Sequence, residues 1–101
     1  MKKEEIQQMQ DRYNQWIALL PELEKSVEEW KQAAELLAPL QQFYFSEQWQ
    51  ELNEHFDGEL DSQGNYSVLS EDALWNAFHE QHQLALEWLK LSTAWITKAQ
   101  D

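Results

Sequence analysis

Apolar residues recur at alternating steps of three and four along the first forty residues. They are Ile6, Met9, Tyr13, Trp16, Leu20, Leu23, Val27, Trp30, Ala34 and Leu37, and we call this set the N-terminal stripe. Such spacing places the side chains on one face of an α-helix. A stripe sustained over more than four heptads is typical of a helix that packs against another helix along its whole length. We therefore predict a first helix from about residue 3 to residue 38.

Two prolines bear on the extent of this helix. Pro21 removes one backbone hydrogen bond and crowds the preceding turn. No Ser, Thr, Asp, Asn or Gly adjoins it to cap a new helix, and the stripe keeps its phase across it. We predict one kinked but continuous helix at this point. Pro39 is expected to end the helix or to bend it again.

A short second helix is predicted after the aromatic run "FYF". Ser46 followed by a glutamate is typical of an N-cap with an acid in the first turn, so the helix is placed at about Glu47 to Phe56. Trp49 and Leu52 are predicted to face inward.

A polar loop should follow, enclosed by turn signals at residues 57–58 and 64–65. Its acids alternate as in a calcium-binding loop, at Asp57, Glu59 and Asp61. The sixth and twelfth positions of that pattern require Gly and Glu, but here they are Ser62 and Val68. No high-affinity calcium site is expected.

The last helix is predicted to begin after Ser70. With this serine as N-cap, Glu71 and Asp72 fall in the first turn, where the helix dipole favours negative charge by about 0.3 to 1 kcal/mol each. Leu69 and Leu74 have the spacing of a hydrophobic staple across the cap. The stripe that follows, the C-terminal stripe, is Trp75, Phe78, His82, Ala85, Leu89, Ser92 and Ile96, flanked by Leu74, Leu86, Trp88 and Trp95. A helix over about 71–97 would be about 40 Å long and would match the first helix as its packing partner.

These elements and the composition predict one all-α domain over residues 1–101. The chain has two Gly and two Pro, and its commonest residues are helix formers. A chain of 101 residues is of single-domain size. The expected architecture is an antiparallel helical bundle of three to four helices with a long kinked first helix.

Charge is distributed unevenly along the chain. The chain contains seven basic and 19 acidic residues, for a net charge of −12. Of these, two basic and eleven acidic residues lie in residues 41–101. Such a surface repels phosphate and anionic lipid, so neither nucleic acid nor membrane is expected as a partner. Two interpretations stay open: the acids serve solubility, or they form a docking face for a basic protein. The absence of cysteine and of an apolar N-terminal run favours a cytoplasmic location.

The residues that could carry chemistry have structural explanations. "HEQH" places His79 and His82 on one helix, but the metalloprotease pattern needs two residues between Glu and the second His, and here there is one. His82 lies in the C-terminal stripe and is expected in the core, with His79 at the surface. Ser46 and Ser70 are interpreted as caps. The tryptophans lie on or beside the stripes, except Trp49, and core packing is expected for them. We predict no catalytic, cofactor-binding or metal-binding residue, and no enzyme.

Two segments resemble a known family. "LQQFYFSEQW" at residues 40–49 and "VLSEDALWN" at residues 68–76 are similar to the core of the bacterial family catalogued as domain of unknown function 4298. The family combines a long amphipathic helix, an aromatic pair, a Ser-x-x-Trp turn, an acidic loop and a Val-Leu-Ser-Glu-Asp-Ala run. Phe45 stands where the family pattern has glycine. The resemblance implies the same organisation and no particular activity.

Three hypotheses for function follow from the sequence. The first is a protein–protein interaction module, in particular a homodimer with Trp16 and Trp30 at or near the shared surface. The second is an acidic mimic or inhibitor that occupies a basic site on a partner. The third is a metal-dependent enzyme that uses His79 and His82.

Overall fold

The structure, a computed structural model, describes residues 2–100, with side chains described up to residue 98. It is all-α, as predicted: 81% of the chain is helical, and the described residues contain three helices and no strand. The helices are α1 (Lys3–Tyr44), α2 (Glu47–His55) and α3 (Glu71–Gln100). None of the helices in the described range combines the length and hydrophobicity that a membrane span requires.

Helix α1 is continuous through both prolines. The prediction of one uninterrupted helix across Pro21 is confirmed. Pro39 is predicted to end the helix or to bend it. The first of these two outcomes is wrong, because α1 runs on to Tyr44. Proline has a helical φ, and the hydrogen bond it lacks and the crowding it causes both concern the turn before it, so a helix can continue beyond it when the next turn is held in place. The ring of Tyr44 supplies that hold, since it contacts rings of α2 and α3.

The chain divides into two compact units, Met1–Leu36 and Leu37–Asp101. The first unit consists of most of α1. The second contains the last turns of α1 together with α2, the connecting loop and α3. Each unit is a region whose residues contact one another more than they contact the rest of the chain. This division does not test whether residues 1–101 form one domain, so the single domain stays a prediction. The pairing of the two stripes would join the units, and it also stays a prediction.

The second unit has a small core. Leu74, at 3% exposed, is the one buried hydrophobic residue among the described residues. The predicted core packing of the tryptophans is not found at Trp16, Trp75 and Trp95, which are 47%, 55% and 71% exposed, whereas Trp30 is half-buried. The prediction of a core His82 is wrong, because its side chain is exposed. For His82 the reason is length: α2 is about 13 Å long and α3 about 45 Å, and His82 lies about 16 Å along α3, beyond the reach of α2.

Helix α2 matches the sequence prediction to within one residue. Ser46 is its N-cap, with an extended backbone (φ −91°, ψ 156°), and Phe56 is its C-cap. Trp49 and Leu52 are half-buried, as expected for inward-facing residues. Phe45 needs no left-handed conformation here, because Gln63 is the single non-glycine residue with positive φ among the described residues.

The connecting loop contains a hydrogen-bonded turn at residues 62–65, where the later glycine predicts one, whereas Gly58 lies in a bend. Gln63 and Gly64 have φ of 53° and 83°, and the Asn65 N–H donates to the Ser62 carbonyl at 2.9 Å. Positive φ at both central residues is the pattern of a type I′ turn. At Gly58 the constraint is space rather than φ, because a Cβ would lie 2.6 Å from the Phe56 ring.

Candidate functional site

An aromatic junction joins the three helical segments of the second unit. It consists of Tyr44, Phe45, Trp49 and Phe78, with Tyr44 at its centre. The Tyr44 ring centroid lies 4.8 Å from that of Trp49 and 5.7 Å from that of Phe78, the latter edge to face. Edge-to-face contacts of this kind contribute roughly 0.5–1.5 kcal/mol beyond area burial. The junction therefore fixes the end of α1 against α2 and the start of α3.

Two side-chain hydrogen bonds tie α2 to the segment that precedes α3. The Trp49 indole N–H donates to the Val68 carbonyl at 2.9 Å, and the Asn53 amide donates to the Leu69 carbonyl at 2.5 Å. Their partners lie 19 and 16 residues away in sequence. Sequence analysis missed both bonds, because no local pattern indicates which distant carbonyl a tryptophan or asparagine reaches.

The start of α3 has the cap that the sequence predicted. The Ser70 hydroxyl oxygen accepts a hydrogen bond from the Ala73 N–H at 3.3 Å. Leu69 is half-buried and Leu74 is buried, as a staple across the cap requires. The segment is also shaped by Ser67, whose hydroxyl accepts from the Leu69 N–H at 3.0 Å. The Ser-Glu-Asp run thus begins a helix, and Ser70 serves as the N-cap of that helix.

The two histidines of "HEQH" are both exposed. His79 stacks on Trp75, with ring centroids 5.4 Å apart and an angle of 8° between the rings. Across the described residues there is no group of three or more His, Cys, Asp or Glu side chains that could hold a metal ion. The structure therefore does not assemble a metal centre around these histidines.

The loop acids have a structural role at one position. The Asp61 carboxylate accepts a hydrogen bond from the Gln63 N–H at 3.2 Å and so supports the type I′ turn. Asp57 and Glu59 are exposed. The alternating acids therefore stabilise a turn at Asp61 and otherwise face solvent.

An open groove of about 640 Å³ lies between the loop and α3. Tyr66 and Val68 line it from the loop, and Ala73 and Ala77 from the helix, where their small side chains leave room. The ionisable groups in its lining are Tyr66 and Glu80. Glu80 is the one carboxylate among the residues that line this groove.

The first unit presents a broad apolar surface. Eight large apolar side chains of the N-terminal stripe and its flanks are between 42% and 58% exposed: Ile6, Met9, Tyr13, Trp16, Ile17, Leu19, Leu23 and Val27. Contiguous apolar surface on this scale is typical of interaction sites. The sequence revealed this surface through its heptad spacing, but only the structure shows that the side chains are exposed.

Charge differs between the units. The first unit has five basic and eight acidic residues, whereas the second has two basic and eleven acidic residues. Two ion pairs of α1 are Lys25–Glu29 at 3.8 Å and Lys31–Glu28 at 3.2 Å. Both are solvent-exposed and contribute little to stability.

These features define a small all-α protein whose short central helix and capped last helix meet in an aromatic junction. The chain belongs to the family described as domain of unknown function 4298, whose model matches residues 6–91. No curated protein and no solved structure matches the chain.

Proposed function

We propose that the chain is a small cytoplasmic protein–protein interaction module without catalytic activity, and that it binds its partner through the N-terminal stripe. One observation carries the proposal: the stripe continues over Ile6 to Val27 with large apolar side chains that are about half exposed. An amphipathic helix of this kind is a standard recognition element, because its apolar face fits a groove or a second helix.

The energetics agree with a reversible contact. Complete burial of a large apolar side chain contributes roughly 1.5–3 kcal/mol, so burying the exposed half contributes about 1 kcal/mol. For eight side chains the gross gain is about 8 kcal/mol, which is comparable to the cost of association of roughly 4–15 kcal/mol. Binding therefore depends on good packing by the partner, and weak complementarity is not enough.

A second candidate function is favoured by charge. The second unit contains eleven acidic residues, and its two basic residues are Lys90 and Lys98. A surface of this sign suits an acidic mimic or inhibitor that occupies a basic site on a partner. The two candidates respond differently to salt, because screening weakens charge attraction and leaves apolar burial in place. No observation supports the third hypothesis, a metal-dependent enzyme.

The stripe can be tested by quantitative affinity capture from extracts of cells that express the chain. The stripe variant is Leu23→Gln with Val27→Gln. The matched control is Glu22→Gln with Glu28→Gln, which changes two exposed residues of the same helix away from the stripe. We expect the wild type and the control to retain the same partner and the stripe variant to lose it, with unchanged helix content in far-UV circular dichroism.

Equal retention by all three proteins would refute binding through the stripe. Retention that is insensitive to the stripe variant but is lost at high salt would instead support the acidic mimic.

A further inference from the structure

The N-terminal stripe is wider at its middle than at its ends. In heptad notation its core positions are a and d, and they are flanked by positions e and g. The e positions are Gln10, Ile17 and Glu24, and the g positions are Glu5, Arg12, Leu19 and Ser26. Apolar flanks thus occur at Ile17 and Leu19, whose side chains are 46% and 51% exposed. Residues 16–20 therefore form an apolar belt around the centre of the stripe.

This belt discriminates between the two orientations of a helix pair. In a parallel pair of identical helices, each g residue faces the e residue five positions later on its partner. Arg12 would then face Ile17, and Leu19 would face Glu24. Both pairings set an apolar side chain against a charged one, which must be desolvated without a partner. A parallel pair is disfavoured.

An antiparallel pair matches the flanks when it is centred on residue 18. Position e then faces e, and g faces g, so Ile17 meets Ile17 and Leu19 meets Leu19 of the second copy. The core positions are matched as well, with Trp16 opposite Leu20, Tyr13 opposite Leu23 and Met9 opposite Val27. A shift by one heptad in either direction would place Ile17 opposite Gln10 or Glu24. A single register therefore satisfies both flanks.

The charge distribution favours a second copy in this contact. The first unit has a net charge of −3 and the second unit −9, counted from their basic and acidic residues. Two copies that meet through their first units bring together the part of the chain with the weaker repulsion. The pattern is also symmetric about residue 18, as a two-fold interface requires, because each surface must be complementary to itself.

We propose that the occupant of the N-terminal stripe is a second copy of this chain, bound antiparallel with its two-fold axis at residue 18. This inference rests on the proposed function, since it names the partner of the same surface. Ile17 and Leu19 set the orientation, and Trp16 and Leu20 form the centre of the interface.

Spin labels measure the orientation directly. The chain has no cysteine, so Gln8→Cys and Gln15→Cys each introduce one labelling site at an exposed position of the same heptad type. In the antiparallel pair the two labels are separated along the helix axis by about 30 Å at residue 8 and by about 9 Å at residue 15. A parallel pair would give the same separation at both positions. Pulsed electron–electron double resonance on each labelled protein measures the label separation and so distinguishes the antiparallel pair from the parallel pair.

A charge swap tests the register. Ile17→Lys and Ile17→Glu should each sediment as a monomer, because like charges meet at the axis, and an equimolar mixture should regain the mass of a dimer. The control is Ala18→Lys, which places the same charge at the outward heptad position f and should leave the dimer unchanged. Circular dichroism verifies that each variant keeps its helix content.

Each outcome decides the proposal. Sedimentation equilibrium of the wild type should give twice 12.1 kDa at high protein concentration. A constant monomer mass, equal label separations at residues 8 and 15, or no recovery in the mixed charge-swap sample would each overturn it. If the chain stays monomeric while the stripe variant still loses a partner from extract, the proposed interaction function stands and the second copy is excluded.

Discussion

Replacing Ser70 by alanine should destabilise the start of α3. The Ser70 hydroxyl accepts from the Ala73 N–H at 3.3 Å, near the long end of hydrogen-bond geometry. Loss of a serine N-cap costs about 0.5–2 kcal/mol, and the long bond places this one at about 1 kcal/mol. For a cooperative unit of 60–100 residues this corresponds to a fall in Tm of about 4–8 °C. Thermal unfolding followed by far-UV circular dichroism measures it.

Two substitutions serve as controls for this experiment. Ser70→Asn keeps a side-chain oxygen at the cap and should unfold close to the wild type. Ser92→Ala makes the same chemical change at an exposed position inside α3, where alanine is the better helix former, so its Tm should be unchanged or slightly higher. If Ser70→Ala unfolded together with Ser92→Ala, the assignment of Ser70 as a stabilising cap would be refuted.

Further predictions concern the core, the interhelical contacts, metal and salt. Leu74→Ala should lower the free energy of unfolding by about 2–5 kcal/mol, because Leu74 is the one buried hydrophobic side chain among the described residues; a loss below about 1 kcal/mol in urea titration would contradict this. Trp49→Phe keeps an aromatic ring at this position but removes the indole N–H that donates to the Val68 carbonyl, and should lower the free energy of unfolding by about 0.5–1.5 kcal/mol in the same assay. Protein purified without a histidine tag should contain no stoichiometric zinc by elemental analysis; zinc that disappears in the His79→Ala, His82→Ala variant would refute this. The proposed dimer should tighten as ionic strength rises, since two chains of net charge −12 repel; sedimentation equilibrium across salt concentrations would show the reverse if charge attraction held the two chains together.

The open groove between the loop and α3 illustrates how local and distant information combine. Its helical wall follows from the cap at Ser70 and from the small residues Ala73 and Ala77, which are evident in the sequence. Its loop wall is in place because Trp49 and Asn53 hold the Val68 and Leu69 carbonyls. A sequence pattern can locate the first wall, whereas the second requires the folded arrangement.

The sequence by itself determined the presence of the three helices, the N-caps of α2 and α3 and the turn at residues 62–65, but not the end of α1 at Tyr44. These features depend on side chains within about four residues of the backbone groups they satisfy, so local spacing and residue type are sufficient. It also revealed the N-terminal stripe, because helical periodicity is a local property.

Tertiary structure alone decided which apolar side chains are buried. His82 and Trp75 occupy stripe positions like that of Phe78, yet they are exposed and Phe78 is half-buried. The difference is that the ring of Phe78 packs edge to face on the ring of Tyr44, the last residue of α1. At Pro39, too, packing decides the outcome. Helix α1 continues past the proline to Tyr44, whose ring packs against rings of α2 and α3. Periodicity shows which face of a helix is apolar, but burial depends on how far the neighbouring elements reach along that face.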